Sequence, residues 1–418
     1  MQVMKWSVIA MAVAAGTSQM ALASSQSESE GFVEGSSLTI FNRNLYMNRD
    51  FRGDADQSYR EAWGHGFIGT FESGFTQGTI GVGVDAIGLL GVKLDSGEGR
   101  AWPDIFPRDS EGKPQDDYSE AGVAVKFRVS DTVLKYGTQF VALPVLSTDD
   151  ARLLPETARG GLITSSEIEG LELNVGRFTA LSAKSEADHD SVGLKELNLV
   201  GGTYAFSDSL STSLYYSDVK DAFEKIYGNV NYSMALDADQ SLAFDFNIYQ
   251  TEYDSAFTET GSDEDNTIWS LAATYGLGAH SFTVAYQKSH GGYDTNGYVY
   301  GLDGGGTVWL GNSVQYSDFY YEDEQSWQVR YDLDMAAYGV SGLSFMTRYV
   351  DGSNINMGAG NPDAEETEWD IEAKYVFQEG PAKDLSLRVR QAFYQATNGL
   401  DNDLSDTRLI VEYPLSIL

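Results

Sequence analysis

The chain has 418 residues, and its 62 Asp and Glu against 27 Lys and Arg give a formal net charge of −35. That balance excludes a nucleic-acid partner, because gripping phosphate backbones needs a basic face. Cysteine is absent, Gly is high at 44 and Pro low at 8, with 25 Tyr, 20 Phe and 7 Trp; the mixture excludes a disulfide scaffold and fits many strands joined by tight turns.

Residues 1–23 read as a secretory signal. Lys5 opens it, Trp6 to Ala15 form an apolar stretch, and Ala21-Leu22-Ala23 make a small-residue cleavage site before Ser24. No later run approaches the roughly 18 apolar residues of a spanning helix. The remainder, 24–418, is read as one domain.

From there apolar and polar residues alternate, segment after segment. Period two means a strand with one apolar and one polar face. Eighteen such segments run near 37–47, 63–73, 79–92, 121–129, 132–141, 161–168, 171–181, 197–206, 209–219, 224–235, 241–251, 267–276, 280–289, 326–334, 342–351, 366–378, 384–395 and 405–418. Most have about ten residues, the length that crosses a bilayer when tilted. The pattern is cleanest at the end of the chain, where Trp369, Ile371, Ala373, Tyr375 and Phe377 alternate with Asp370, Glu372 and Lys374.

Connections alternate in length. Ser130-Asp131, Glu169-Gly170 and Ser207-Asp208 are short; 93–120, 142–160, 182–196, 252–266 and 290–325 are long. Short turns on one side, long loops on the other and an even strand count predict an all-β, antiparallel transmembrane β-barrel of 18 strands. Apolar faces such as Val123, Val125, Phe127 and Leu242, Phe244, Phe246 would meet lipid. Trp63, Tyr204, Phe206, Tyr232, Trp269, Tyr275, Trp327 and Tyr413 would form the interfacial girdles. Acidic clusters, among them Asp95, Asp104, Asp116 and Asp117, and Glu252 to Asp265, fall between strands and read mainly as solvated loops.

Short motifs in chain order carry a resemblance to a known family. They include Gly31-Phe32-Val33-Glu34, Asn42-Arg43-Asn44, Asn48-Arg49-Asp50-Phe51, Gly137-Thr138-Gln139, Leu143-Pro144-Val145-Leu146, Arg152-Leu153-Leu154-Pro155 and Gly176-Arg177-Phe178. Gly304-Gly305-Gly306, Asn312 to Asp318, Phe345 to Tyr349 and Ile410 to Pro414 continue the series. Together they resemble the OprD-type outer-membrane porins of Gram-negative bacteria. The chain departs from outer-membrane barrels generally by ending in Leu418 rather than an aromatic residue. The resemblance implies a monomeric eighteen-stranded barrel, a constriction made by an infolded loop, and uptake of small, often carboxylate-bearing solutes. A loose oligomer stays open.

The alternation itself assigns a lumen face. Arg330, Arg348, Lys374, Arg388, Arg390 and Arg408 oppose the apolar residues on the last five strands, and closure brings Arg43 of the first strand beside the last. A row of cations in a narrow lumen draws in anions, and Arg holds a carboxylate bidentately. The competing reading pairs each base with a wall carboxylate such as Asp332, Asp370, Glu372 or Glu412; bases outnumber these acids. Lys126, Arg128 and Lys135 fall near the short-turn end, where they could simply pair, and Arg177 is ambiguous. Opposite the basic ladder the resemblance puts the constriction loop, with Ser147, Asp149, Asp150, Arg152 and Arg159.

Enzyme chemistry is disfavoured. The four histidines, His65, His189, His280 and His290, stand in no nucleophile or metal spacing, and no Lys-Ser/Thr follows Gly304-Gly305-Gly306, which reads as a flexible loop. No cofactor or metal is expected. Partners are outer-membrane lipid, lipopolysaccharide (through bridging cations at the acidic loops) and carboxylate solutes. The resulting expectation is a substrate-preferring diffusion channel of the outer membrane. The alternative is a structural or adhesive barrel with a closed lumen.

Overall fold

Alternation closes into a barrel. The computed structural model describes residues 26–52, 58–96, 105–258, 261, 264–292 and 296–418; the signal-like segment 1–23, Asp104, Glu259 and Asp263 lie outside them. The strands are β1 (Ser37–Phe51), β2 (Tyr59–Glu72), β3 (Gly81–Asp95), β4 (Asp117–Val129), β5 (Thr132–Gln139), the two-residue pair β6 (Ala142–Leu143) and β7 (Leu146–Ser147), β8 (Thr157–Ile168), β9 (Leu171–Ser182), β10 (Leu197–Ser207), β11 (Leu210–Val219), β12 (Phe223–Asp237), β13 (Gln240–Tyr253), β14 (Glu264–Leu277), β15 (His280–Gly291), β16 (Gln325–Asp334), β17 (Leu343–Ile355), β18 (Ala364–Val376), β19 (Ser386–Ala396) and β20 (Leu404–Ser416).

All except β6 and β7 join one 18-stranded antiparallel sheet, and β1 pairs with β20 from Thr39↔Ser416 to Phe51↔Leu404. Closure leaves no edge strand, which is how a sheet satisfies its backbone within a membrane. All eighteen expected strands are present, several extended by a few residues. The short turns share one end with the sheet's two termini. Gly170, in a two-residue turn, takes φ +77°, a left-handed geometry that glycine adopts without strain.

The outer face carries two aromatic belts. Near the long-loop end lie Trp63, Trp269 against Tyr286, Trp327 against Tyr349, and Trp369 against Phe393. Near the short-turn end lie Tyr204 against Phe206, Phe282 against Tyr331, and Tyr375 against Phe377. Between them Val125 and Phe244 are exposed to lipid. Replacing either with Arg should cost roughly 2–4 kcal/mol at mid-membrane. Folding yield into liposomes measures this, and a yield equal to the parent's would place the residue off the lipid face.

Inside, apolar packing comes from loops. Leu153 and Leu154 pack on Leu45, Met47, Ile87, Leu89 and Ile105. Val141, Leu143, Val145 and Leu146 join Phe178, Tyr227, Tyr249 and Tyr298. The second of these clusters corrects the view of 290–325 as an external loop. Its described part, 296–324, turns inward, and Tyr298 and Phe319 have no solvent exposure. Open stretches at the long-loop end are instead 109–113, 186–191 and 359–363. Protease added to intact cells is therefore expected to cut there or in 252–258 and to spare 296–324. Cleavage confined to Ser207-Asp208 or Glu169-Gly170 would invert the topology.

Candidate substrate path

Residues of even number on β16 to β20, and odd number on β1, face the lumen. All seven ladder residues lie on that face. Register places several directly opposite one another: Arg330↔Arg348, Lys374↔Arg388 and Arg390↔Arg408. Like charges directly opposite destabilise a sheet. The arrangement is therefore held against stability, which points to a use beyond folding.

Carboxylates soften the repulsion. Arg330 binds Asp332 at 2.7 Å and Arg348 binds Asp370 at 2.7 Å. Arg43 reaches Glu412 at 3.0 Å. Glu372 is shared by Arg388 at 2.6 Å and Arg390 at 3.3 Å. Asp406 is shared by Arg408 at 2.8 Å and Arg49 at 2.9 Å. The pairing alternative thus holds for most single residues. The wall also contains Asp334, Glu366, Glu368 and Asp406, so by formal charge its acids match its bases and the cationic surplus expected from the sequence is absent. Glu366 and Glu368, however, spend their oxygens on Ser317, Tyr394 and the backbone of Tyr316 and Ser317. Two ladder residues keep capacity to spare. Among the described residues Lys374 has no ion-pair partner, and Arg390 makes no hydrogen bond.

The segment after β5 crosses to this wall. Arg43 donates to both carboxylate oxygens of Asp150 at 2.6 and 2.9 Å and to the Arg152 carbonyl at 2.8 Å. Asp149 is clamped by Lys184 from the loop after β9. Burial opposes ionisation of Asp149, but the Lys184 charge outweighs it and holds the carboxyl below its ordinary range. Burial, and then the guanidiniums of Arg408 and Arg49, bring Arg152 down to about 10, still protonated at neutral pH. Arg152 therefore extends the cationic wall instead of opposing it. Ser147 is buried, its N–H donating to the Asp303 carbonyl at 3.0 Å.

Arg159 is a correction. It is the third residue of β8, not part of the loop, and its exposed side chain shares the outward face with Ile163. Lys126 and Lys135 both bind Asp85 at 2.6 Å, and Arg128 donates to Gln26 at 2.9 Å; all three are engaged at the short-turn end. Arg177 faces outward with Val175 and pairs with Glu196 at 2.6 Å.

Several members of the site escaped the sequence reading. Arg49 and Arg60 face each other on β1 and β2 and prolong the basic track toward the long-loop end. Arg49 alternates with Arg43, which was the available signal; ending the first strand at 47 cut it off. Glu156, which the sequence does place in the constriction segment 142–160, joins two loops, accepting from the N–H groups of Asp149 at 2.8 Å and Gly305 at 2.9 Å. The far end of 296–324 lies on the wall, where Arg408 donates to the Gln315 carbonyl at 2.8 Å. Gly304-Gly305-Gly306 is not free loop: a Cβ at Gly304 would lie 2.0 Å from the Ser147 carbonyl oxygen.

The family described as "outer membrane porin, OprD family" matches residues 30–417. The chain belongs to the OprD family. Porin D of Pseudomonas aeruginosa is 47% identical over the full length of both chains. The solved structure of OccAB1 from Acinetobacter baumannii superposes with a TM-score of 0.90 at 34% identity, covering 94% of this chain and all of that one. OpdK from P. aeruginosa, solved with vanillate, gives 0.84 at 35% identity over 92% of this chain and all of that one. This OprD-family protein is thus a substrate-specific outer-membrane porin, a channel rather than an enzyme, in contact with membrane lipid and with the small solutes it passes.

Proposed function

We infer that this porin passes small carboxylate-bearing solutes by diffusion along the basic wall of β16 to β20 and β1. The observation that carries the reading is Arg390, a guanidinium opposite Arg408 that makes no hydrogen bond among the described residues. A solute carboxylate supplies the acceptors Arg390 lacks, and bidentate binding suits it. Neighbouring cations, Lys374 and Arg388 on one side and Arg43 on the other, offer successive weak sites, so a solute can enter and still leave. Ser147, Asp149, Asp150 and Arg152 form the eyelet beside the wall. The acidic loops are proposed to meet lipopolysaccharide through bridging divalent cations. The OpdK relative solved with vanillate, a carboxylate, supports the chemistry.

Changing Arg388, Arg390 and Arg408 together to Gln tests this. Anion-over-cation permeability and carboxylate uptake into proteoliposomes should both fall, while the barrel still folds, since lumen positions tune selectivity more than stability. An unchanged reversal potential in a salt gradient would sink the proposal.

A further inference from the structure

The inward segment 296–324 also meets the wall through carboxyl groups. Glu324, its last residue, and Glu366, on the lumen face of β18, are both buried. Their carboxyl groups lie within hydrogen-bond reach of each other. Gly352 of β17 leaves room for this contact: a Cβ there would lie 2.1 Å from Glu324 Oε1 and 3.2 Å from Glu366 Cγ.

Two ionised carboxylates in contact repel, so the pair shares one proton. The other donors decide where it sits. Glu366 accepts from the Ser317 hydroxyl at 2.8 Å and the Tyr394 hydroxyl at 2.6 Å, which marks it as the carboxylate. Glu324 Oε2 accepts from the Tyr321 N–H at 3.0 Å. Among the described residues no N–H or O–H group reaches Glu324 Oε1. That oxygen carries the proton and donates it to Glu366. Burial, and then the Glu366 charge, hold the Glu324 carboxyl well above the ordinary carboxylate range.

The surroundings supply no cation to take the proton's place. Asp318, Tyr320 and Tyr321 lie near the pair within the segment, and Asp401 approaches from the loop after β19. Glu368 follows on β18 and accepts from the Tyr316 and Ser317 N–H groups, both at 2.8 Å. Arg348 of β17 is bound to Asp370 at 2.7 Å. From β15 the Ser289 N–H reaches the Glu324 carbonyl at 2.9 Å, while the neighbouring His290 is bound to Asp323 at 2.8 Å. β16 begins with the uncharged Gln325 and Ser326.

We propose that Glu324 and Glu366 form a proton-operated latch: their shared proton closes 313–324 onto β18, and its loss to water releases the segment and widens the path. Docking gains from the contact while the proton is bound and loses that gain as the pH rises through the raised range of Glu324. Gln315, whose carbonyl covers Arg408, leaves the wall with the released segment.

The test uses the full-length porin in planar bilayers and liposomes, in potassium chloride. No carboxylate solute is present, so failure here leaves the carboxylate reading untouched. Raising the pH from about 5 to about 9 should make traces noisier, raise mean conductance and open 296–324 to protease. Glu324→Gln keeps a donor toward Glu366 and has no proton to lose. Its traces should stay those of the closed segment across the range, and at the alkaline end its 296–324 should be cut severalfold more slowly than the parent's. Glu366→Gln should flatten the response in the same way. Infrared spectra near neutral pH should show the stretch of a protonated carboxylic acid in the parent and its loss in Glu324→Gln. A parent whose traces ignore pH, a folded Gln variant that keeps the parental response, or a parent without the protonated-acid band would each overturn the proposal.

Discussion

Excising Ser147 to Leu153 is expected to raise single-channel conductance severalfold and to flatten discrimination among solutes. The segment enters the lumen on two supports. Asp150 is fixed to Arg43 of β1, and Leu153 is fully buried against Leu45, Met47 and Ile105. The excision removes both supports and withdraws Arg152 from beside Arg408 and Arg49. It leaves the barrel strands intact, since β5 pairs directly with β8 from Thr132↔Ser165 to Gln139↔Ala158. A wider cross-section passes more ions, and a solute no longer held close to the wall loses the contacts that distinguish it. Planar-bilayer recordings and a swelling panel of mono-, di- and tricarboxylates, sugars and basic amino acids measure the two effects. Parental conductance from a variant whose strand content is intact would mean that the narrowest section is made elsewhere.

The strands were legible because each needs only local information. A residue's neighbours two positions away reveal its face, and a turn announces itself by length and by Gly or Ser-Asp composition. The lumen face followed from the same period, which is why Arg388, Arg390 and Arg408 could be named without a structure. The burial of 296–324 could not be read this way. Tyr298 and Tyr300 look like girdle residues in a sequence, and only the fold turns them inward against Tyr249 and Asp318. The wall carboxylates Asp332, Asp370, Glu372 and Glu412 could be named as partners, but which base meets which acid was hidden. Arg348 meets Asp370 through strand register, which alternation does not specify. Arg159 failed for a related reason. The strand begins four residues earlier than the periodicity suggests, so a residue counted in the loop belongs to the sheet and faces outward.

The second large effect is expected at Lys225 and Asp303. Their charged groups lie 2.5 Å apart with no solvent exposure on either side chain. Lys225 also donates to Tyr298 at 2.8 Å and is enclosed by the rings of Phe223, Tyr249 and Tyr298. Asp303 accepts from Gly301 and Thr307 within its own loop, both at 3.1 Å. The pair is the charged anchor that ties 296–324 to β12. Asp303→Asn leaves the ammonium buried without a counter-charge, a loss of roughly 3–5 kcal/mol. The eighteen-stranded sheet does not depend on this contact, so the penalty falls on loop docking. Expelling the loop returns Lys225 to water and uncovers Arg408, which 296–324 otherwise touches through Gln315. Current traces should become noisier with a higher mean conductance, and 296–324 should become open to protease. Lys225→Met combined with Asp303→Leu removes both charges and should recover most of the docking, because an apolar pair replaces a buried ion pair at little cost. Quiet, parental traces from Asp303→Asn, with 296–324 still protected, would mean that the surrounding aromatic packing holds the loop without the charge pair.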